Sequence, residues 1–253
     1  MALRQKSIFW YGISVTSTNR SIDFRTSSGG AIFQATLTLG NYTLTGFINE
    51  IKTQLKAANP TTTFTVSLNR TFSTTANRLT LGSSTGFFEL LFFTGPRAAS
   101  SAAVLMGFTA TDKTGSSSYT STSSVGTYLI PEYKGYTYLS PDFMHNVFGA
   151  LNISARGDKE AIVWSVQKFF QVEFKYEPET KVITEWLPFM DWLIQQRPIE
   201  FVPDLTIQNT FYQATLESSS ADGKGLGYVM KEMLPDFPFN YQTGVLKFRQ
   251  KEF

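Results

Sequence analysis

Apolar and polar positions alternate in short runs along the first half of the chain. Residues 8–15, 21–25 and 31–39 are each rich in β-branched or aromatic side chains and bounded by Gly, Ser or Asn, which predicts strands. The period then changes. Leu44, Phe47, Ile48, Ile51 and Leu55 fall at the spacing of one helix face, with Thr43 placed to cap the start and Asn59-Pro60 to stop it, so a helix is expected over 44–58. Alternation resumes in 63–68 and 78–81. Residues 87–93 are apolar enough to predict a strand buried on both faces, and 98–108 suggest a short helix. Within 109–126, the runs Thr114-Gly115-Ser116-Ser117-Ser118 and Ser121-Thr122-Ser123-Ser124 carry no large apolar side chain and predict a loop or linker.

In the second half, Ile162, Trp164, Val166, Phe170, Val172, Phe174 and Tyr176 share one parity, opposed by Ser165, Gln167, Gln171, Glu173 and Lys175. This predicts one long, half-buried strand. Val147, Leu151, Ile153 and Ala155 precede it at the same period across the turn Arg156-Gly157-Asp158-Lys159, so the two runs read as a hairpin. Trp186, Phe189, Met190 and Leu193 mark a helix face near 185–196, entered at Thr184, with Pro188 in the first turn and Arg197-Pro198 at the end. Strand-like runs follow at 199–202, 211–216 and 245–248. The expected class is mainly β with few helices (α+β), arranged as two β-rich domains. Each has a sheet or small barrel and one principal amphipathic helix: 1–126 with a helix near 44–58, and 127–253 with a helix near 185–196.

Composition sharpens this division. Residues 1–130 hold 42 Ser plus Thr and 14 charged residues, whereas 131–253 hold 13 and 28. The two parts carry +6 and −4, summing to the chain's +2. Opposite signs are suited to a head-to-tail contact between copies. The overall balance gives no reason to expect nucleic acid or an anionic membrane. The 253 residues contain no Cys, which excludes disulfides, thiolate metal sites and a cysteine nucleophile. No apolar run approaches membrane-spanning length, and the first residues lack a signal-peptide core, so a soluble, non-secreted chain is expected.

Candidate chemistry is sparse. A Ser-His-Asp machine needs its histidine oriented by a carboxylate and beside a nucleophile, and the one histidine, His145, sits in Asp142-Phe143-Met144-His145-Asn146 at an expected strand entry, so no functional role is expected of it. Glu185 and Asp191 each precede a tryptophan, but six residues on a helix is about 600° of rotation, so the two carboxylates point apart. Asp222-Gly223-Lys224-Gly225-Leu226-Gly227 has nucleotide-like glycine spacing without the strand context or Lys-Ser/Thr ending, and reads as a flexible turn. Arg156-Gly157-Asp158 matches the integrin-binding triplet, which turn chemistry alone explains. Lys168-Phe169-Phe170 and Lys247-Phe248-Arg249 interleave basic and aromatic residues as single-strand nucleic-acid binders do, yet fit ordinary sheet faces. No catalytic, cofactor-binding or metal-binding residue is assigned, and the expectation is a non-enzyme. The 23 Phe and abundant Tyr and Trp favour protein–protein assembly instead.

Two stretches resemble structural proteins of tailed-bacteriophage virions. The first combines Ala35-Thr36-Leu37-Thr38-Leu39-Gly40-Asn41-Tyr42-Thr43-Leu44-Thr45, the following helix, Thr63-Phe64-Thr65-Val66-Ser67, Arg78-Leu79-Thr80-Leu81, Phe87-Phe88-Glu89-Leu90-Leu91 and Leu105-Met106-Gly107-Phe108-Thr109-Ala110-Thr111-Asp112. It is similar to a β-rich module of tail and fibre-associated proteins. The second combines Trp186-Leu187-Pro188-Phe189, Trp192, Arg197-Pro198-Ile199-Glu200-Phe201-Val202-Pro203-Asp204, Phe211-Tyr212 and Gly244-Val245-Leu246-Lys247-Phe248-Arg249. It resembles distal-tail or tail-tip proteins, which form a ring joining the tail tube to the hub and fibres.

The resemblance implies a baseplate ring subunit in the virion, assembled in the host cytoplasm, with the second domain as ring former and the first as a peripheral module. Implied partners are identical copies, tube, hub and fibres, with no direct nucleic acid and no membrane insertion. Trp186, Phe189, Trp192, Phe201 and Tyr212 are the candidate interface residues, with plain core packing as the competing reading. The alternatives are a receptor- or carbohydrate-binding module, or a head-side adaptor, connector or decoration protein.

Overall fold

The computed structural model describes residues 8–71, 74–129, 142–153, 159–174, 177–202, 211–218, 231–232 and 240–250. It is mostly β, with a few helical segments and several sheets, a mainly β member of the α+β class. The chain divides into two compact units, one made of Trp10–Tyr128 and the other of Met1–Phe9 together with Leu129–Phe253. The first unit is therefore an insertion in the sequence of the second. No helix among the described residues is long and apolar enough to cross a membrane.

The first described strand is β1 (Ile8–Tyr11), and β2 (Ile13–Val15) opens the inserted unit's own ladders. Then come β3 (Ser21–Arg25), β4 (Phe33–Thr36), β5 (Gly40–Tyr42), α1 (Leu44–Ala58), β6 (Phe64–Leu68), β7 (Arg78–Ser83) and β8 (Phe88–Leu90). β9 (Lys113–Ser116), β10 (Ser118–Ser124) and β11 (Thr127–Leu129) complete the series. Strand β2 pairs with β5, a four-stranded sheet runs β4-β3-β8-β9, and a three-stranded sheet runs β10-β7-β6.

Helix α1 forms where its periodicity predicts. The Thr43 hydroxyl accepts the Gly46 N–H at 3.1 Å, and Leu44, Phe47, Ile51 and Leu55 lie buried on one face. Phe24 is the centre of an aromatic cluster, with ring centroids 5.4 Å from Phe64, 5.5 Å from Phe33 and 5.9 Å from Phe88. This is the inserted unit's core.

Three expectations change here. Of the apolar run 87–93 only Phe88–Leu90 is strand, and Phe93 points to solvent. Of 98–108 only Ala98–Ser100 is helical, as one 3-10 turn, because each later turn is closed by a local hydrogen bond such as Gly107 N–H to Val104 O. The Ser/Thr-rich stretch read as a linker forms β9 and β10 instead. It is held there because β10 pairs with β7, and the buried Ser121 hydroxyl accepts the Leu79 N–H at 2.9 Å. A polar side chain can occupy a core-facing strand position when a backbone donor satisfies it.

The second unit continues with β12 (Asp142–Ile153) and β13 (Lys159–Phe174), antiparallel in the register Asp142↔Gln171 to Ile153↔Lys159. This is the expected hairpin, with a register shift between Phe148 and Gly149; its turn residues 154–158 lie outside the described residues. β14 (Glu177–Pro178) leads to α2 (Glu179–Lys181), a π turn (Val182–Trp186) and α3 (Leu187–Ile194), in whose first turn Pro188 sits. The helical path thus starts five residues before the expected Thr184. β15 (Ile199–Val202), β16 (Tyr212–Ser218), β17 (Lys231–Glu232), β18 (Asn240–Gln242) and β19 (Gly244–Gln250) follow. The seven-stranded sheet runs β11-β1-β15-β16-β19-β13-β12, and a small one runs β14-β18-β17.

Candidate functional site

The five aromatic residues singled out from the sequence occupy the second unit. Phe9 gathers the rings there, with centroids 4.7 Å from Phe201, 5.1 Å from Phe189, 5.6 Å from Phe248 and 6.2 Å from Phe174. Trp186 continues the cluster, 4.8 Å from Phe174 and 5.9 Å from Phe189. Trp186, Phe189 and Phe201 are wholly buried, so as folded they have no surface to offer a partner. Trp192 is also buried. Its indole N–H donates to Pro198 O at 3.0 Å, and the Arg197 guanidinium stands 4.8 Å over its ring. Tyr212, opposite Phe201 in the β15–β16 ladder, alone keeps a half-exposed side chain.

The other candidates are dispersed. His145 lies in β12 opposite Lys168. Glu185 is half-buried in the π turn, and Asp191 is exposed on α3. The Asp222–Gly227 and Arg156–Asp158 motifs fall outside the described residues. Among the described residues no group of three or more His, Asp or Glu is placed to hold a metal ion.

What the structure leaves exposed on the inserted unit is three large apolar side chains, on the segments that follow β4, β8 and the 3-10 turn. β4 and β8 both run antiparallel to β3, so their ends flank its start. Leu37 N–H bonds to Arg20 O on one side; on the other, Leu91 N–H bonds to Asp23 O and Ala102 N–H to Ser21 O, each at 2.8 Å. The chain just beyond these anchors presents Leu39, Phe93 and Val104, which are 54%, 73% and 74% exposed. Each stands two residues past one of these anchors, on a separate segment.

The Phe93 and Leu39 loops are each braced by hydrogen bonds. The Asp112 carboxylate accepts the Phe93 N–H at 2.7 Å, the Thr94 N–H at 3.1 Å and the Thr94 hydroxyl. Burial alone would raise the Asp112 pKa, but these three donors together outweigh it and hold the group below the usual aspartate value. Behind Phe93, the buried Asp23 carboxylate accepts from the Arg97 backbone N–H at 2.8 Å and from Arg97 Nε at 2.9 Å. The same guanidinium donates to Thr36 Oγ1 at 2.6 Å and Ala35 O at 2.8 Å, tying the loop after β8 to β4.

Gly95 is required beneath this knot, since a Cβ there would lie 2.4 Å from Leu91 O and 2.7 Å from Asp23 Oδ2. At Leu39, the preceding residue is fixed on both sides. Thr38 N–H donates to Glu50 Oε1 and Thr38 O accepts the Tyr42 hydroxyl, both at 2.7 Å. Burial and the Glu50 charge push the Tyr42 pKa up, partly offset by the bond to Thr38, so its hydroxyl stays a donor at neutral pH.

The segments carrying Phe93 and Leu39 are therefore held fixed while their apolar side chains stay exposed. Completing the burial of each such side chain against a partner would contribute on the order of 1–2 kcal/mol, and fixed loops spare most of the ordering cost. The sequence pattern hides these exposures because Phe93 sits inside an apolar run and Val104 inside a helix-like one. The visible signal was Gly95-Pro96 directly after Phe93-Thr94, which ends a strand and turns the chain.

No protein-family model matches the chain, and no curated protein matches it.

Proposed function

We propose that the chain is a non-enzymatic assembly component of a tailed-phage virion, a distal-tail or baseplate ring subunit linking tube to hub and fibres. The observation that carries the assembly reading is the exposure of Phe93 and Leu39 on loops that Asp112, Arg97 and Glu50 hold fixed. Fixed, exposed large side chains are costly in solvent and are the means by which protein interfaces gain affinity. The choice of virion, tail and ring rests on the resemblance of the sequence stretches to such proteins. In this reading the second unit's aromatic core serves as the stiff body, and the inserted unit presents the exposed apolar side chains.

The test is the mass of the full chain in solution across concentration by light scattering, with negative-stain imaging of large species, alone and with tube and hub proteins. A closed ring of a few copies, alone or with those proteins, is the expected result. A chain that stays monomeric, joins no such assembly and binds cells or glycans would overturn it and make the receptor-binding alternative the working one.

A further inference from the structure

We propose that β12 pairs edge to edge with β12 of a second copy, antiparallel across a two-fold axis near Val147 and Phe148. This goes beyond the assembly reading above, because a two-fold contact joins copies in pairs and does not itself close a ring. β12 is the last strand of the seven-stranded sheet, and it pairs with β13 along its whole length, from Asp142↔Gln171 to Ile153↔Lys159. Among the described residues no strand pairs with its other edge. Among them, too, β13 pairs with β19 only over 169–174, so residues 146–153 and 159–167 form a ribbon of two strands that continues beyond the β13–β19 ladder. A ribbon of two strands is marginal in water and is stabilised by further strands.

The edge itself is unguarded. Open edge strands are normally protected by brevity, by Lys or Pro, or by a bulge of their own. β12 has twelve residues and no Pro, and Asp142, at its start, is its one formally charged residue. The bulge in the hairpin falls on β13, where Trp164 is left over between Phe148↔Ser165 and Gly149↔Val163. Length then selects the partner. The longest other sheet edge among the described residues is β10, with seven residues, and β11, at the far edge of the same sheet, has three. Among these edges only a second β12 matches all twelve residues, and every copy supplies one. Charge selects the direction. In-register parallel pairing would set Asp142 opposite Asp142, a like-charge pair that destabilises a ladder. Antiparallel pairing carries each Asp142 to the Ile153 end of the partner strand, where β13 brings Lys159 and Glu160 and no net charge.

The cysteine-free sequence allows a direct test. Near the axis a residue meets its own copy, so Val147→Cys or Phe148→Cys should give a disulfide-linked dimer on mild oxidation. Asp142→Cys should not, since the two copies of that position would lie about ten to twelve residues, roughly 34–40 Å, apart along the ladder. Asn146→Lys brings two lysines close to each other across the axis. It should raise the concentration needed for dimer formation in light scattering at least tenfold, with the thermal melt of the dilute chain unchanged. Hydrogen exchange of the unsubstituted chain gives an independent reading. In a lone copy alternate β12 amides point away from β13 and exchange fast, and they should become protected as concentration rises. Protection that is the same at every concentration overturns the proposal, as does a lack of cross-linking at both 147 and 148 or equal cross-linking at 142. A ring whose alternate β12 amides stay fast sinks this contact and leaves the assembly reading intact. A chain that dimerises through β12 yet joins no assembly with tube or hub proteins keeps this contact and sinks the ring.

Discussion

The rings of Trp10 and Tyr128 meet with centroids 4.9 Å apart and planes inclined at 57°. These are the first and last residues of the inserted unit, carried on β1 and β11, which are neighbours in the seven-stranded sheet. A unit whose ends lie side by side can be inserted into another's sequence without stretching either. Gly126, at φ +75°, makes the turn into β11 where an added Cβ would come within 3.0 Å of Tyr11 O.

Replacing Tyr128 by Ala removes this ring contact from a side chain that is 44% exposed. The expected loss is about 0.5–1.5 kcal/mol. Hydrogen exchange should quicken at Thr127–Leu129 while the amides of Leu79 and Leu81, in the unit's core, keep their protection. Equal acceleration at both places would show that the ring pair supports the whole unit rather than its closure.

The Asp23–Arg97 pair is a consequential ion pair of the inserted unit, because the carboxylate is buried and the guanidinium ties its own loop to both β3 and β4. Asp23→Asn leaves a guanidinium without its charge partner in a half-buried place, for a predicted cost of about 3–5 kcal/mol in urea unfolding. Arg97→Lys keeps the charge and loses the planar fork, so it should lie between wild type and Asp23→Asn. A loss under 1 kcal/mol for Asp23→Asn would mean that the knot is dispensable.

Asp112 ties Phe93 to the fold in a pH-dependent way. Its folded pKa lies below the unfolded value, so the bracing is fully present above the ordinary aspartate range of about 3.9 and is lost as pH falls through the folded pKa. The amide resonances of Phe93 and Thr94 should titrate together with a midpoint below that range, and Asp112→Asn should abolish the titration. A midpoint above 4 would contradict the stabilising role given to these hydrogen bonds.

How much of this was legible in the sequence depends on whether one segment's own chemistry decided its fate. Helix α1 was readable because Thr43, the Leu44–Leu55 periodicity and Asn59 all act within fifteen residues or so of chain. The β12–β13 hairpin was readable for the same reason. The strands β9 and β10 were not, since what makes Ser121 and Thr120 strand residues is β7, forty positions away, through Leu79 N–H and the Thr80 hydroxyl. The start of the inserted unit was hidden too, because Trp10 lies inside the continuous strand β1 and nothing in composition changes there. Aromatic content pointed to contact surfaces, but Trp186, Phe189 and Phe201 went into a core, and the exposed Phe93 belonged to a run that looked interior. Hydrophobicity alone cannot tell these apart, since loops held by long-range polar contacts decide which phenylalanine is left outside.

The loop carrying Val104 ends at Gly107, and that glycine gives a quantitative check on how tightly this loop is held against β10. Its φ is +77°, and an added Cβ would lie 2.3 Å from Ser123 O, a backbone atom that cannot step aside without moving β10. Gly29 supplies the control: it also has positive φ, +66°, but nothing lies within 4 Å of its added Cβ. Gly29→Ala should therefore cost only the left-handed backbone penalty, about 1–2 kcal/mol. Gly107→Ala should cost that plus the clash, at least about 1 kcal/mol more by urea unfolding, and should loosen exchange at Met106 and Phe108. If the two substitutions proved equal, the Val104 loop would be yielding, and its close packing on β10 would contribute nothing to its stability.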